Sequence, residues 1–208
     1  MMRAFRLTAF PRRLLLLRWI PSLVLIYCIL LPAQLMLPWD TDRIQSARIL
    51  YTLAQVFLPT CLLWRLFAYF LPIRQSENRE LLRSLKHPDI GCAVFLLLEH
   101  QLCAFPAYIT YFELIPDQGQ MIIVLILQSV CISIGFLLLS EICASSAAGF
   151  VVLLLYILFS AMFNSGPALT LIQRNILWQE ITLEYFIIRL ILIGIEVACW
   201  FAIRRRKI

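Results

Sequence analysis

Six long apolar stretches fill nearly all of this 208-residue chain. Each approaches the ~20 mostly apolar residues that a helix needs to cross a bilayer. With short turns between them, no room is left for a water-soluble catalytic domain. The reading is therefore a single transmembrane domain over 1–208, an all-α bundle of six helices at approximately Trp19–Leu37, Ile49–Leu71, Gly91–Phe112, Met121–Leu139, Ala147–Phe163 and Tyr185–Ile203. Charged residues make up 14% of the chain and apolar ones 62%, against about 25% charged in a typical soluble domain. Lipid is the expected partner of that surface.

The net charge of +6 is topological. Basic residues collect at Arg3, Arg6, Arg12, Arg13 and Arg18, at Arg74, Arg79, Arg83 and Lys86, and at Arg204–Lys207, each group at the end of an apolar segment. The opposite ends hold little beyond Arg43, Arg48 and Arg174. By the positive-inside rule both termini and the loop 72–90 face the cytoplasm, and the even number of spans agrees. Cations spread this way form no continuous face for phosphates, so nucleic acid is not an expected partner. The N-terminal apolar run from Leu14 to Leu37 is longer than a signal-peptide core and lacks a small-x-small cleavage site. Trp19 and Trp39 stand 20 residues apart, about 30 Å along a helix, matching two interfacial aromatic belts.

The seven cysteines form no CxxC pair, and His87 and His100 fall in different segments. Neither a disulfide framework nor a metal site is expected. There is no GxxxxGK[ST] phosphate loop, no GxSxG elbow and no HExxH. The expectation is no enzyme, no cofactor and no metal in this chain.

The connections differ. Glu113–Gln120 holds Pro116, Asp117 and Gly119, a plain turn. The link Ser140–Ser146 is short and built of small residues, so helices four and five should form a tight hairpin. Asn164–Glu184 is too polar to span and too apolar for a free loop, which points to a re-entrant or interfacial segment over 164–184. In Ser76-Glu77-Asn78-Arg79-Glu80-Leu81-Leu82-Arg83-Ser84-Leu85-Lys86-His87-Pro88, Ser76 suits an N-cap. Acids follow early and bases late, as the helix dipole favours, and Pro88 ends the run. Leu81, Leu82 and Leu85 share one face of a short amphipathic helix. It serves either as a helix lying on lipid headgroups or as a docking helix.

These features resemble the membrane subunit of the ABC-2 permease family, the type-2 ABC exporters. Glu77, Glu80-Leu81-Leu82 and Pro88 sit as in that family's coupling segment. Leu137-Leu138-Leu139-Ser140-Glu141 through Ser145-Ser146-Ala147 resembles its small-residue hairpin, and the last span ends on Arg204-Arg205-Arg206-Lys207 as is typical of it. The Gly-Thr often found before Glu-Leu-Leu is Asn78-Arg79 here, and the first external loop, Pro38–Arg48, is minimal. The resemblance implies a permease in a plasma membrane, bacterial by the same token, working as a homodimer or heterodimer. Its partner would be a cytoplasmic ATP-binding cassette ATPase that holds the ATP. Glu77, Arg79, Glu80, Leu81, Leu82 and Arg83 would dock there. Two other functions fit six spans: the substrate-binding membrane subunit of a vitamin importer, and a non-transporting scaffold or assembly factor.

Several ionisable residues lie within spans, where each costs roughly 2.5–3.5 kcal/mol at mid-bilayer. Arg65, Glu99 and Glu196 come to a similar depth, roughly 10–13 Å from the cytoplasmic boundary at 1.5 Å per residue. The expectation is that Arg65 bridges Glu99 or Glu196, and that His100 is a hydrogen-bonding interior residue. Arg189 and Glu196, seven positions apart, share a face that should meet protein.

Overall fold

A computed structural model describes residues 19–36, 43–75, 88–114, 121–162 and 183–206, and all of these except the short turn at 143–145 are helical. In chain order the elements are α1 (19–36), α2 (Arg43–Gln75), α3 (Pro88–Leu114), α4 (Met121–Ile142), α5 (Ser146–Met162) and α6 (Leu183–Arg206). No strand occurs among the described residues. Four helices contain stretches long and apolar enough to cross a membrane: Arg48–Leu71, Ile90–Thr110, Met121–Ile142 and Leu183–Ile203. The apolar parts of α1, Trp19–Ala33, and of α5, Ser146–Met162, are shorter. The 17 residues of α5 rise about 26 Å, at the lower end of what spans a bilayer core of about 30 Å.

The helices outrun the expected boundaries at several ends. α2 begins at Arg43 and continues through Pro72 to Gln75, and α3 begins at Pro88. The connection expected over 72–90 is therefore 76–87. A proline at position 72 withholds its own N–H and crowds the carbonyl four residues back, yet α2 continues three residues beyond it. Inside α3, Pro106 likewise removes one backbone bond. One turn later the Thr110 hydroxyl lies within hydrogen-bond distance of the carbonyls of Pro106 at 3.2 Å and Ala107 at 3.0 Å.

α1 is wound differently. Val24–Leu30 is π-helical, and the Leu31 N–H donates back five residues to the Ile26 carbonyl. Pro32 follows at once, and its ring would clash with the carbonyl four residues before it in a regular α-helix. The widened turn relieves that clash. π-turns inside α-helices occur often at functional sites.

α2 and α4 are the inner helices. In an apolar 18-residue stretch of α2, 61% of residues are buried, against 11% in that of α6. α2 packs against α1, α3, α4 and α5, and α4 packs against α2, α3, α5 and α6. Their side chains build two apolar layers. One gathers Leu62, Leu66, Phe70, Leu96, Ile132, Phe136, Ile157 and Trp200. The other gathers Ile26, Leu30, Leu58, Cys61, Ala104, Tyr108, Val124 and Tyr185. Leu98, Leu102 and Phe105 of α3 and Leu190, Ile191 and Ile195 of α6 turn outward and exposed. Large apolar side chains facing out from a bundle with a partly polar interior are what a lipid solvent requires and water penalises.

The α4–α5 turn is as tight as its small residues imply. α4 ends with the Cys143 N–H on the Leu139 carbonyl at 2.9 Å. Ala144 then takes a left-handed conformation, φ 51°, the position glycine most often holds after a helix. The Ser145 hydroxyl accepts the Ala148 N–H at 3.3 Å, capping α5. Beyond the turn Gly149 lies directly on Ser140. A Cβ at position 149 would stand 2.8 Å from Ser140 Oγ and 3.0 Å from its backbone nitrogen.

Candidate functional site

Where the two apolar layers meet, the helices turn polar. His100 of α3 lies between Leu96 and Ala104, Gln128 and Ser129 of α4 between Leu125 and Cys131, and Arg189 and Glu196 of α6 between Tyr185 and Trp200. Arg65 of α2 stands one turn inside the first layer. This polar belt resolves into two clusters, one around Arg65 and the other around Gln128 and Arg189.

The first centres on Arg65, which is completely buried. Its Nε donates to Ser22 Oγ of α1 at 3.0 Å. The Ser22 hydroxyl donates a hydrogen bond to the Cys61 carbonyl at 3.3 Å, so the serine staples α1 to α2. The guanidinium carbon lies 4.3 Å from the centre of the Trp19 ring, a cation–π contact worth about 2 kcal/mol when desolvated. Arg65 also sits within electrostatic reach of His100 and of the Cys61 thiol. Nη1 and Nη2 have no hydrogen-bond partner.

Arg65 meets Ser22 and Trp19, with Cys61 and His100 within electrostatic reach, and the expected pairing with Glu99 or Glu196 is not seen among the described residues. The reason is rotational. Equal depth brings residues level, but the faces decide contact. On α3 it is His100 that is fully buried, while Glu99, one residue earlier, is rotated by about 100° on a helix of 3.6 residues per turn and is only half-buried. Glu196 belongs to α6, which packs chiefly on α4, and its carboxylate lies against Gly135, where a Cβ would stand 3.5 Å from Oε1. His100 departs from expectation too, for neither Nδ1 nor Nε2 makes a hydrogen bond.

The second cluster joins α2, α4, α5 and α6. Gln128 Nε2 donates to Gln55 Oε1 at 2.8 Å and to the Tyr185 hydroxyl at 3.2 Å, all three buried. Arg189, 2% exposed, stacks its guanidinium 5.2 Å from the Tyr185 ring centre and reaches the Tyr156 hydroxyl at 3.4 Å. Arg189 and the half-buried Glu196 do face protein, as their sevenfold spacing requires. Hydrogen bonds of this kind between membrane helices contribute about 0.6 kcal/mol on average and up to about 1.7.

Glu77, Arg79, Glu80, Leu81, Leu82 and Arg83 lie outside the described residues, as does nearly all of the expected interfacial segment 164–184. Ser22, Gln55, Gln128, Tyr156 and Tyr185 were not singled out from sequence, and Trp19 was read only as an interfacial aromatic. The usable signal was the amides: two glutamines in the middle of otherwise apolar helices have to find each other. Among the described residues no group of three or more His, Cys, Asp or Glu could hold a metal. No family model, curated protein or solved structure matches this chain.

Proposed function

We propose that this chain is the membrane-embedded permease subunit of an ATP-driven exporter of the ABC-2 type. It would cross a plasma membrane, bacterial in kind, six times with both termini inside. The observation that carries the reading is the α4–α5 hairpin: a three-residue turn, an Ala144 held left-handed, and Gly149 pressed on Ser140. That family's small-residue hairpin has the same character. Two further features support it. α2 and α3, both of spanning length, end on either side of the segment 76–87, which carries Glu77 and Glu80-Leu81-Leu82. The chain has no phosphate loop of its own, so energy must come from a partner.

In this reading Glu77, Arg79, Glu80, Leu81, Leu82 and Arg83 dock into a groove of a cytoplasmic ATP-binding cassette ATPase. Closure of that groove on ATP displaces α2 and α3 together. Because α2 touches α1, α3, α4 and α5, its displacement moves most of the bundle as a body. Two permease chains, alike or related, enclose the path between them, since a bundle of six helices packed on α2 and α4 is too small to hold a wide path alone.

The test is recovery of the tagged chain from its native cells in mild detergent, beside an E80K/L82D variant. The expected result is an ATP-binding cassette protein in near-equal amount with the wild type and none with the variant. A wild type that brings down no ATPase ends the permease reading.

A further inference from the structure

Arg65 is a cation in the interior of the bundle with no carboxylate bonded to it among the described residues. Arginine has five N–H donors and cannot be deprotonated in proteins. One of the five, on Nε, is used on Ser22; Nη1 and Nη2 are fully buried and without a partner. His100 of α3, within electrostatic reach of Arg65, is fully buried and also unpartnered at both ring nitrogens. In either neutral tautomer, or charged, an imidazole carries at least one N–H. Unmet donors and an uncompensated charge converge here, where burial without partners is most expensive.

We infer that Arg65 and His100, with Ser22 and Trp19 as their support, form a binding site for an oxyanion, a carboxylate or phosphate group, between α1, α2 and α3. The guanidinium fork matches two oxygens of such a group side by side, and the His100 N–H supplies a further donor. Ser22 fixes the fork through Nε, and the Trp19 ring holds its flat face, so the Nη edge is preset. α1 is the cover. Near Arg65 it contributes the Ser22 hydrogen bond and the Trp19 contact; its inner residues Ile26 and Leu30 anchor it in the core, its outer residues Ile20 and Val24 are about half exposed, and its π-wound stretch starts two residues beyond Ser22. An oxyanion enters as α1 shifts. The group could belong to an acidic amphiphile in the membrane or to a free ion. The inference does not depend on the ATPase partner, so failure of the co-purification leaves it standing.

The full chain, purified in an uncharged detergent, is titrated with dodecyl phosphate, laurate and inorganic phosphate, with binding read by thermal shift and by tryptophan fluorescence. Saturable binding of at least one of the three is expected, weakened at least tenfold in R65Q and at least threefold in R65K, with E196Q unchanged. R65K keeps the charge and loses the fork, so it carries the test if R65Q does not fold. Binding of the two amphiphiles without inorganic phosphate identifies a membrane source; equal binding of inorganic phosphate identifies a free ion. A wild type that binds none of the three, or an R65K protein that binds as tightly as wild type, overturns the inference.

Discussion

Gly149 offers the sharpest test of the packing. In Gly149→Ala the new Cβ would stand 2.8 Å from Ser140 Oγ, 3.0 Å from its nitrogen and 3.3 Å from its Cα. Two of those three atoms are backbone and cannot rotate away, so α4 and α5 must separate at the hairpin. Overpacking of this kind costs about 1–3 kcal/mol, and the backbone contacts put this case in the upper half. Alanine returns up to ~1 kcal/mol through helix propensity. The net expectation is a loss of about 1–2 kcal/mol. Gly194 is the matched control: a Cβ there meets nothing within 4 Å, so Gly194→Ala keeps the propensity gain without the clash. Adding Ser140→Ala removes the hydroxyl but not the backbone contacts, and restores only part of the loss. Reversible unfolding in mixed detergent micelles, followed by helical signal, measures all four proteins. If Gly149→Ala is as stable as Gly194→Ala, the close approach of α4 and α5 is wrong.

Three other substitutions follow from the same geometry. Ala144→Gly relieves a left-handed conformation that costs an L-residue about 1–2 kcal/mol, and should raise unfolding stability by about 1 kcal/mol. Gln128→Leu leaves Gln55 and the Tyr185 hydroxyl without their donor and should cost about 1–2 kcal/mol, while Gln55→Leu with Gln128→Leu should cost less than the sum of the singles, measured as a double-mutant cycle. Arg65→Leu and Glu99→Leu act on groups that do not contact each other, so their effects on stability should add within about 0.5 kcal/mol; a strong favourable coupling between them would restore the ion pair.

Much of the architecture was readable because a bilayer makes one demand on a helix, a sustained apolar length, and composition records it directly. The starts of α4 and the ends of α2 and α5 fall within a few residues of where the apolar runs begin and end. Pro72 lies inside α2, three residues before its end, although the apolar run stops just before it. The hairpin was legible for a different reason, since Ser140, Ala144, Ser145 and Gly149 leave little else for two adjoining helices to do. The belt was half legible. Charges within spans mark themselves, and depth counted at 1.5 Å per residue placed Arg65 near its true neighbours. Depth carries no rotation, however. Whether Glu99 or His100 faces Arg65 depends on a 100° turn of α3 that is set by how Leu96, Ala104 and Ala107 pack, and a single sequence does not record that. Ser22 escaped notice because one hydroxyl in an apolar run is ordinary until an arginine is found beside it.

The account stands or falls on whether the segment 76–87 shares a side of the membrane with both termini. In a cysteine-free background, single cysteines at Asn78, at Asp117, at Ser165 and beyond Arg206 can be probed in intact cells with a membrane-impermeant maleimide, then again after permeabilisation. The expected result is labelling of positions 117 and 165 in intact cells, and of 78 and the C-terminal site only once the membrane is opened. Labelling of position 78 from outside, or on the same side as 117, contradicts the six-span arrangement and the permease reading with it.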